Sequence, residues 1–450
     1  MTITETLAAH VAATGPERIP AAVAAATRRY VLDTLAVAWA GADAPGGSAI
    51  HAMAAAEGGA GEAGVWVHGG RLPAAAAAFV NGVSAAALDY DSVYEAGSVH
   101  ADVVVVPAAW AMAERTGASG ADFLAAVALG TDIACRLGKA SRRNSGWFYT
   151  SVAGVYGAAA ACARLAGLDR DGIANAMGFA LSHTGGTQQA LLEKTDAKRM
   201  QSAFAAKAGV FCAQLAAAGA SAPRQALEGS YGYFAKYEDC DPAVLLDALG
   251  ERYENTRSAI KKYPSCTANH APVEVAIALA RELDIQPDDV TAVEVVLSPF
   301  SQRLVGGPFE PAANPQVAAQ FSIQYSLACA LARRRLGVAD IQRDAVLDPK
   351  LGALAGKVAS SADDANKGKF APARIAVTTA RHGRVERDAP FVPGAPEHPL
   401  SDEEHRAKVL DCLAVGARPL DAGAAARLIE RVDGIGRVTD MRRLFDGICN

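Results

Sequence analysis

Apolar residues recur at three- and four-residue spacing through most of the first half of the chain, which is the period of a helix with one buried face. The pattern runs from Pro16 to about Ala220 and is clear in residues 74–88, 105–117, 121–138 and 198–219. All but the first of these segments end at or near a glycine, a common helix terminator. The first half of the chain is therefore predicted to be a succession of helices.

The second half has a mixed pattern. Residues 290–300 alternate as a strand does, residues 316–337 have helical spacing, and residues 374–389 are typical of a hairpin that turns at His382 and Gly383. Residues 401–416 and 422–435 return to a helical pattern. We expect a mainly α protein, with a large all-helical domain formed by residues 1–265 and 400–450 and a smaller α+β domain formed by residues 266–399.

Composition and charge narrow the class of protein. Of the 450 residues, 51% are hydrophobic, and long runs of alanine favour closely packed helices over sheets. The net charge is -5 with acids and bases intermixed, so no basic stripe is available and nucleic acid is not an expected partner. Neither a charged leader before an apolar core nor a run of about 18 apolar residues is present. We expect a cytoplasmic protein with no membrane partner.

Three patterns in the sequence suggest a metal or nucleotide site, but the residues around each one argue against it. The eight cysteines are scattered without closely spaced pairs, so we expect buried thiols and no metal ligands. Residues 59–64 have GxGxxG spacing, but a helical segment precedes them and an extended one follows, the reverse of a dinucleotide-binding turn. The segment from Asp89 opens like a calcium loop, but Val93, Tyr94 and His100 occupy positions that need an acid, a glycine and a glutamate.

Candidate chemistry first appears between residues 89 and 102. Asp89, Asp91, His100 and Asp102 bracket one loop that follows an apolar helix. For each residue alone an ordinary role is slightly favoured, with Asp89 as a helix cap and His100 as a surface residue. Their concentration in one loop makes them candidates for proton transfer.

Lys198 is a second candidate. It lies in the first turn of a predicted helix whose N-cap is Thr195 or Asp196. A lysine there opposes the helix dipole, while the N-terminal amides attract anions. Together they would bind a substrate carboxylate, or the lysine would act as a base. Taken alone, an ordinary solvated lysine is favoured.

The segment KKYPSCTANHAP, residues 261–272, combines two lysines, a cysteine and a histidine. The spacing of Cys266 and His270 fits one face of a helix, but two ligands do not make a metal site. Nothing in the sequence supplies the oxyanion loop that a Cys–His nucleophilic pair requires. The favoured interpretation is His270 in proton transfer, with Lys261 or Lys262 attracting acidic groups.

Five segments in order resemble the MmgE/PrpD family, which includes 2-methylcitrate dehydratase, cis-aconitate decarboxylase and iminodisuccinate epimerase. They are AAFVNGVSAAALDYD, HADVVVVPAAWAMAE, KRMQSAFAAKAG, KKYPSCTANHAP and HPLSDEEHRAKVLDC, and they span nearly the whole chain. The resemblance implies a helical domain with both termini, a smaller α+β domain, an active site between them without metal or organic cofactor, and a homodimer. It points to Asp89, His100, Lys198 and His270 as catalytic groups, and to Asp91 and Lys262 as further site residues.

The chain departs from the family pattern at several of these positions. Ser92 interrupts the aspartate pair and is a candidate for substrate binding, and Gln201 stands where a histidine often follows the lysine. Phe148 and Tyr149 stand where some relatives carry His-Pro. The Tyr149 phenol would replace the missing histidine as a proton donor.

The family's reactions share one chemical problem, a negative charge that develops beside a carboxylate. Cationic groups stabilise such a charge, and paired acid and base groups move the protons. We expect a cofactor-free lyase, of dehydratase or decarboxylase type, that acts on a small di- or tricarboxylic acid. Lys198 and His270 would bind carboxylates, and His100, held by Asp89, would be the general acid or base. Two alternatives stay open: an epimerase of an aspartate-derived dicarboxylate, and a catalytically lapsed homologue that binds an acidic metabolite.

Overall fold

The computed structural model describes residues 1–142, 145–193, 195–237, 239–311 and 314–446. The chain divides into two compact units. The helical unit contains Met1–Ala87, Asp91–Ala259 and Cys412–Asn450, and the α+β unit contains Leu88–Tyr90 and Ile260–Asp411. Compared with the expected boundaries, residues 88–90, 260–265 and 400–411 lie with the α+β unit.

The helical unit consists of helices and one short pair of strands. Its α-helices are α1 Ile3–Ala13, α2 Ala21–Gly41, α3 Gly47–Ala56, α4 Ala74–Ala86, α5 Asp102–Thr116, α6 Gly120–Ala140, α7 Tyr149–Leu165, α8 Arg170–Ala180, α9 Gln189–Leu192, α10 Ala197–Ala217, α11 Tyr233–Lys236, α12 Ala243–Leu246 and α20 Ala422–Asp433. Antiparallel strands β1 Ala63–Gly64 and β2 Arg71–Leu72 lie between α3 and α4. Short 3-10 helices cover Pro16–Arg18, Leu181–His183, Glu254–Arg257, Ile435–Arg437 and Met441–Arg443.

Small residues let the central helices approach each other closely. A β-carbon on Gly130 of α6 would lie 2.6 Å from the carbonyl oxygen of Gly157 of α7, and one on Gly157 would lie 2.2 Å from the Gly130 oxygen. On the other side of α7, a β-carbon on Gly209 of α10 would lie 2.4 Å from the Ala158 β-carbon. The runs of alanine and glycine thus produce backbone-to-backbone packing, which larger side chains would prevent.

A wholly buried arginine anchors α6 to the chain that follows α12. The Arg136 guanidinium donates to the Asp132 carboxylate at 2.7 Å and to the main-chain oxygens of Leu245 and Asp247 at 3.1 and 2.8 Å. Burial raises the pKa of Asp132 to about 6, although Arg136 acts to lower it. The other Asp132 oxygen accepts from the Glu254 amide at 2.6 Å, so the ion pair fixes the 245–254 segment to the core.

The α+β unit combines a sheet with short helices. Its α-helices are α13 His270–Glu282, α14 Pro299–Val305, α15 Pro315–Gln320, α16 Ile323–Arg333, α17 Arg343–Val346, α18 Pro349–Ala355 and α19 Asp402–Leu413. Its strands are β3 Val290–Leu297, β4 Val358–Ala362, β5 Ala373–Thr379 and β6 Gly383–Ala389. The strand order is β4-β3-β5-β6, with β3 and β4 parallel and the other neighbours antiparallel. Short 3-10 helices cover Thr267–Asn269, Pro287–Asp289 and Val338–Ile341.

The expected fold class, mainly α with a smaller α+β part, is confirmed. The hairpin is also confirmed, because Gly383 follows the turn with a φ of +67° that favours glycine. The single helix predicted over residues 316–337 is wrong. Ser322 is extended and its hydroxyl accepts from the Tyr325 amide at 3.2 Å, which ends α15 and starts α16. Within the described ranges, none of the helices combines the length and apolarity needed to cross a bilayer.

Replacing Arg136 by leucine should lower the free energy of unfolding by about 3–5 kcal/mol, because the Asp132 carboxylate would stay buried without its counter-charge. Urea unfolding followed by circular dichroism measures the loss. As a control, Arg170→Ala removes an ion pair with Asp171 in which both side chains are half exposed, and should cost at most about 1 kcal/mol. Equal losses in the two variants would contradict the anchoring role of Arg136.

Candidate active site

The loop between α4 and α5, residues 87–101, is held in place by close backbone contacts. Val93 pairs with Ala259 in an antiparallel bridge, and Tyr94 pairs with Val99. Gly97 lies against α6, where a β-carbon would be 2.9 Å from the Gly138 carbonyl carbon. This packing fixes the C-terminal end of the loop, where His100 lies just before α5.

His100 lies against a carboxylate in the helical unit. Its Nδ1 is 2.7 Å from Asp91 Oδ2, and its main-chain amide donates to Thr150 Oγ1 of α7 at 3.0 Å. The imidazole is 16% exposed and the Asp91 side chain 2%. A carboxylate at Nδ1 favours the proton on that nitrogen, which leaves Nε2 as the basic atom. Because the ring is partly accessible, Nε2 is suited to exchange a proton with a small molecule.

A second carboxylic acid lies beside this pair. Asp102 begins α5 and accepts a 2.5 Å hydrogen bond from the Ser92 hydroxyl. Burial raises the pKa of Asp102 to about 7, the Ser92 bond lowers it in part, and the nearby Asp33 and Asp91 carboxylates raise it further. Asp102 therefore lies near two further buried carboxyl groups, and its raised pKa brings its titration close to neutral pH.

Tyr149 and Lys198 occupy the starts of two neighbouring helices of the helical unit. Tyr149 is buried at the first position of α7, next to the Thr150 that binds His100. Lys198 is half-buried in the first turn of α10, whose N-cap is Asp196, as predicted. Gln201 of α10 accepts from the Thr187 amide at 2.6 Å and donates to its carbonyl at 3.2 Å. The glutamine that replaces a histidine thus ties the segment before α9 to α10.

In the α+β unit, a lysine and an aspartate form a buried ion pair. Lys261 Nζ donates to Asp89 Oδ2 at 2.9 Å and to the Asp89 main-chain oxygen at 2.7 Å. The two side chains are 3% and 6% exposed. Asp89 has a φ of +51°, in the left-handed region that most side chains avoid. The expectation that Asp89 holds His100 is therefore wrong, because Asp91 binds the imidazole and Asp89 binds Lys261.

His270 is wholly buried at the start of α13. Its Nε2 is 3.2 Å from the Ser265 main-chain oxygen, and its ring makes an edge contact with Tyr263 at 5.3 Å. Burial and the neighbouring Lys261 ammonium lower the pKa of His270 to about 3. The imidazole is therefore neutral and donates Nε2–H to Ser265, which conflicts with the expectation that it binds carboxylates as a cation. Among the described residues its Nδ1 has no hydrogen-bond partner.

The neighbouring lysine has a different environment. Lys262 is half-buried and its Nζ is 2.9 Å from both Glu274 Oε1 and Glu404 Oε1. It lines a cleft of about 340 Å³ in the α+β unit, together with Tyr90 and Lys408. Of the two lysines that the sequence offered, Lys261 is the buried one that pairs with a candidate catalytic carboxylate.

Two further residues were missed by sequence reasoning. Lys408 of α19 is 5% exposed, and its Nζ donates to the Tyr90 main-chain oxygen at 2.9 Å. The Tyr90 hydroxyl donates to the Lys262 main-chain oxygen at 3.0 Å. A lysine in an acidic helix gives no sequence signal of burial, since such helices normally expose their charges. Across the described ranges, no group of three or more histidine, cysteine or acidic side chains is arranged to hold a metal ion.

The fold and these contacts define the class of protein. It has a helical unit and an α+β unit, and one loop carries the candidate acid and base groups. The chain belongs to the MmgE/PrpD family. Residues 5–244 match the MmgE/PrpD N-terminal domain and residues 263–432 match the MmgE/PrpD C-terminal domain. The family that the sequence resembles is thereby confirmed.

Curated relatives are named as decarboxylases. The chain is 29% identical to a cis-aconitate decarboxylase of Aspergillus terreus over 367 residues. The matched region covers 76% of this chain and 75% of that protein. It is 32% identical to the cis-aconitate decarboxylase-like protein oryM of Aspergillus oryzae over 225 residues, and the matched region covers 46% of each chain. It is 29% identical over 275 residues to human cis-aconitate decarboxylase, which covers 58% of this chain and 56% of that protein.

Substituting Asp102 by asparagine should change how stability depends on pH. The folded-state pKa of about 7 lies above the usual value of 3.8, so ionising Asp102 destabilises the fold as pH rises from about 4 to about 7. Asparagine cannot ionise and still accepts from Ser92. The variant should therefore gain roughly 2–4 kcal/mol relative to wild type between pH 4 and pH 8.

Urea unfolding at several pH values measures this difference between variant and wild type. Asp288→Asn, at an exposed carboxylate, serves as the control and should show no such gain. A constant offset between Asp102→Asn and wild type at every pH would show that Asp102 is not the titrating group.

Proposed function

We propose that the protein is a cofactor-independent lyase, of decarboxylase or dehydratase type, that acts on a small di- or tricarboxylic acid. Membership of the MmgE/PrpD family and relatives named cis-aconitate decarboxylase support the reaction class. The observation that carries the proposal is the 2.7 Å contact between His100 and Asp91, which leaves a partly exposed imidazole with a basic Nε2.

His100 would move the proton. In a dehydration, its Nε2 takes a proton from the carbon beside a carboxylate, a double bond forms to the neighbouring carbon, and the hydroxyl group leaves that carbon as water with a proton from a donor such as Tyr149. In a decarboxylation, the bond to one carboxylate breaks, CO2 leaves, and the carbon that keeps the electron pair takes a proton from His100. The Asp91 carboxylate stabilises the imidazolium that forms or is consumed in either reaction.

Cationic side chains would stabilise the negative charge. Lys198 has a half-buried ammonium at the start of α10, where the amides of the helix N-terminus also attract anions. Lys261 is buried beside Asp89, where charge interactions are less screened than in water. The neutral His270 would have a different role from the one expected, as an acceptor of a hydrogen bond at Nδ1. Tyr149 remains a candidate proton donor, and Ser92, Asp91 and Lys262 remain candidate contacts to the substrate.

The test is to incubate wild-type protein with citrate, cis-aconitate, tartrate and aspartate-derived acids in D₂O, with and without EDTA, and to follow each acid by proton NMR. Decarboxylation should produce a new species that carries deuterium, because the proton donor exchanges with solvent, and dehydration should produce a new unsaturated species. His100→Ala should lower the rate by about 10²- to 10⁴-fold, the usual contribution of a positioned acid or base. The rate of Asp91→Asn should lie between the rates of His100→Ala and wild type.

The products distinguish the proposed function from its alternatives. A deuterated acid of unchanged carbon skeleton and hydration would identify an epimerase. Thermal stabilisation by an acid without turnover would identify a lapsed homologue that only binds, since a ligand that binds the folded state raises stability. Turnover that survives in His100→Ala within tenfold of wild type would contradict the role of His100, and turnover abolished by EDTA would contradict cofactor independence.

A further inference from the structure

Two lysines of the α+β unit bind consecutive carbonyl oxygens of the chain. Lys261 Nζ lies 2.7 Å from the main-chain oxygen of Asp89, and Lys408 Nζ lies 2.9 Å from the main-chain oxygen of Tyr90. Both lysines are at least nine-tenths buried. Hydrogen bonds from a charged donor are about twice as strong as neutral ones, so the backbone of residues 89 and 90 is held unusually firmly.

The segment that the lysines hold has a conformation that needs support. Asp89 has a φ of +51°, and a non-glycine residue in that region is strained and persists only where its surroundings enforce it. The same residue provides the carboxylate that pairs with Lys261. The contacts that fix the backbone of Asp89 therefore also set the direction of its side chain. Through that side chain they set the position of the Lys261 ammonium.

Lys408 contacts the segment in two ways. Besides its bond to the Tyr90 carbonyl, its ammonium lies 4.1 Å from the centre of the Tyr90 ring, in the geometry of a cation–π contact. The Tyr90 hydroxyl is in turn bound to the Lys262 main-chain oxygen, one residue after Lys261. The Tyr90 side chain thus joins Lys408 to the backbone that carries Lys261.

We propose that Lys408 is a positioning residue for the Asp89–Lys261 pair. It holds the carbonyl and the ring of Tyr90, keeps Asp89 in its left-handed conformation and so keeps the Lys261 ammonium buried in one place. Lys408 does not contact the reacting atoms in this account and acts through Lys261. The effect on turnover rests on the proposed function, in which Lys261 stabilises negative charge, whereas the effect on the Lys261 environment does not.

The first experiment measures the environment of Lys261 without any substrate. Wild type, Lys408→Met and Lys357→Met are treated with acetic anhydride, and mass spectrometry gives the acetylation rate of Lys261. Lys261 is 3% exposed in the folded protein, so its acetylation requires local opening. Loss of a charged hydrogen bond should raise that rate roughly tenfold or more in Lys408→Met.

Lys357→Met is the matched control. Lys357 also donates to a main-chain oxygen in the α+β unit, that of Val290 at 2.6 Å, but at a place remote in sequence from residues 89 and 261. Its loss also removes a lysine–carbonyl bond, although Lys357 itself is exposed. The acetylation rate of Lys261 in this variant should match wild type.

The second experiment uses the acid that wild-type protein converts. Lys408→Met should lower kcat by roughly 10- to 100-fold with KM within about threefold, because a displaced group that acts only in the transition state affects kcat. Lys408→Arg keeps a cation with N–H donors and should recover most of the lost rate. If Lys408→Met does not fold, Lys408→Gln replaces it in both experiments.

Faster acetylation of Lys261 with a lower kcat in Lys408→Met, and neither in Lys357→Met, supports the positioning role. An unchanged acetylation rate overturns it, whatever the kinetics. Faster acetylation with unchanged kcat supports the positioning of Lys261 but contradicts its role in the proposed function, because Lys261 would then move without consequence for the reaction. If wild type converts none of the acids, the proposed function fails separately and the acetylation rates alone decide for or against positioning by Lys408.

Discussion

The buried ion pair between Asp89 and Lys261 is the constraint on which the candidate chemistry depends. Its charges are almost fully removed from water, a costly arrangement unless each group keeps its partners. Lys261 meets this requirement by binding both the carboxylate and the main-chain oxygen of Asp89. The pair therefore fixes the backbone at Asp89, and only Tyr90 separates this residue from Asp91, whose carboxylate binds His100. One stretch of chain thus supplies the carboxylates that bind both the Lys261 ammonium and the candidate acid–base residue His100.

Close packing of small residues supports the histidine from the other side of its loop. Gly97 and Gly138 bring the loop onto α6, and Gly130 and Gly157 bring α6 onto α7. Helix α7 supplies Thr150, which binds the His100 amide. The alanine- and glycine-rich composition is thus more than a general preference for helices. It lets the loop, α6 and α7 pack closely enough for the Thr150 side chain to bind the His100 amide and fix its position.

The sequence was sufficient for the fold class, the hairpin, the family and the segments that carry candidate groups, because periodicity, a turn glycine and motif order are local properties. It was not sufficient for the pairing of the aspartates. Asp89 and Asp91 are equivalent in spacing, and the left-handed backbone of Asp89 depends on contacts with Lys261, which is 172 residues away. The burial of Lys408 is likewise a tertiary effect. The break at Ser322 was missed because a serine within an apolar helical pattern is ambiguous between an interior residue and a cap.

The most direct test of the account compares Lys261→Met with Lys262→Met in the rate of conversion of the acid that the NMR test identifies as a substrate. Both changes remove one ammonium at adjacent positions, but only Lys261 pairs with Asp89, whereas Lys262 pairs with Glu274 and Glu404 near the surface. The account predicts a loss in kcat of about 10²-fold or more for Lys261→Met, at least ten times the loss for Lys262→Met. Equal losses, or a larger loss for Lys262→Met, would contradict it.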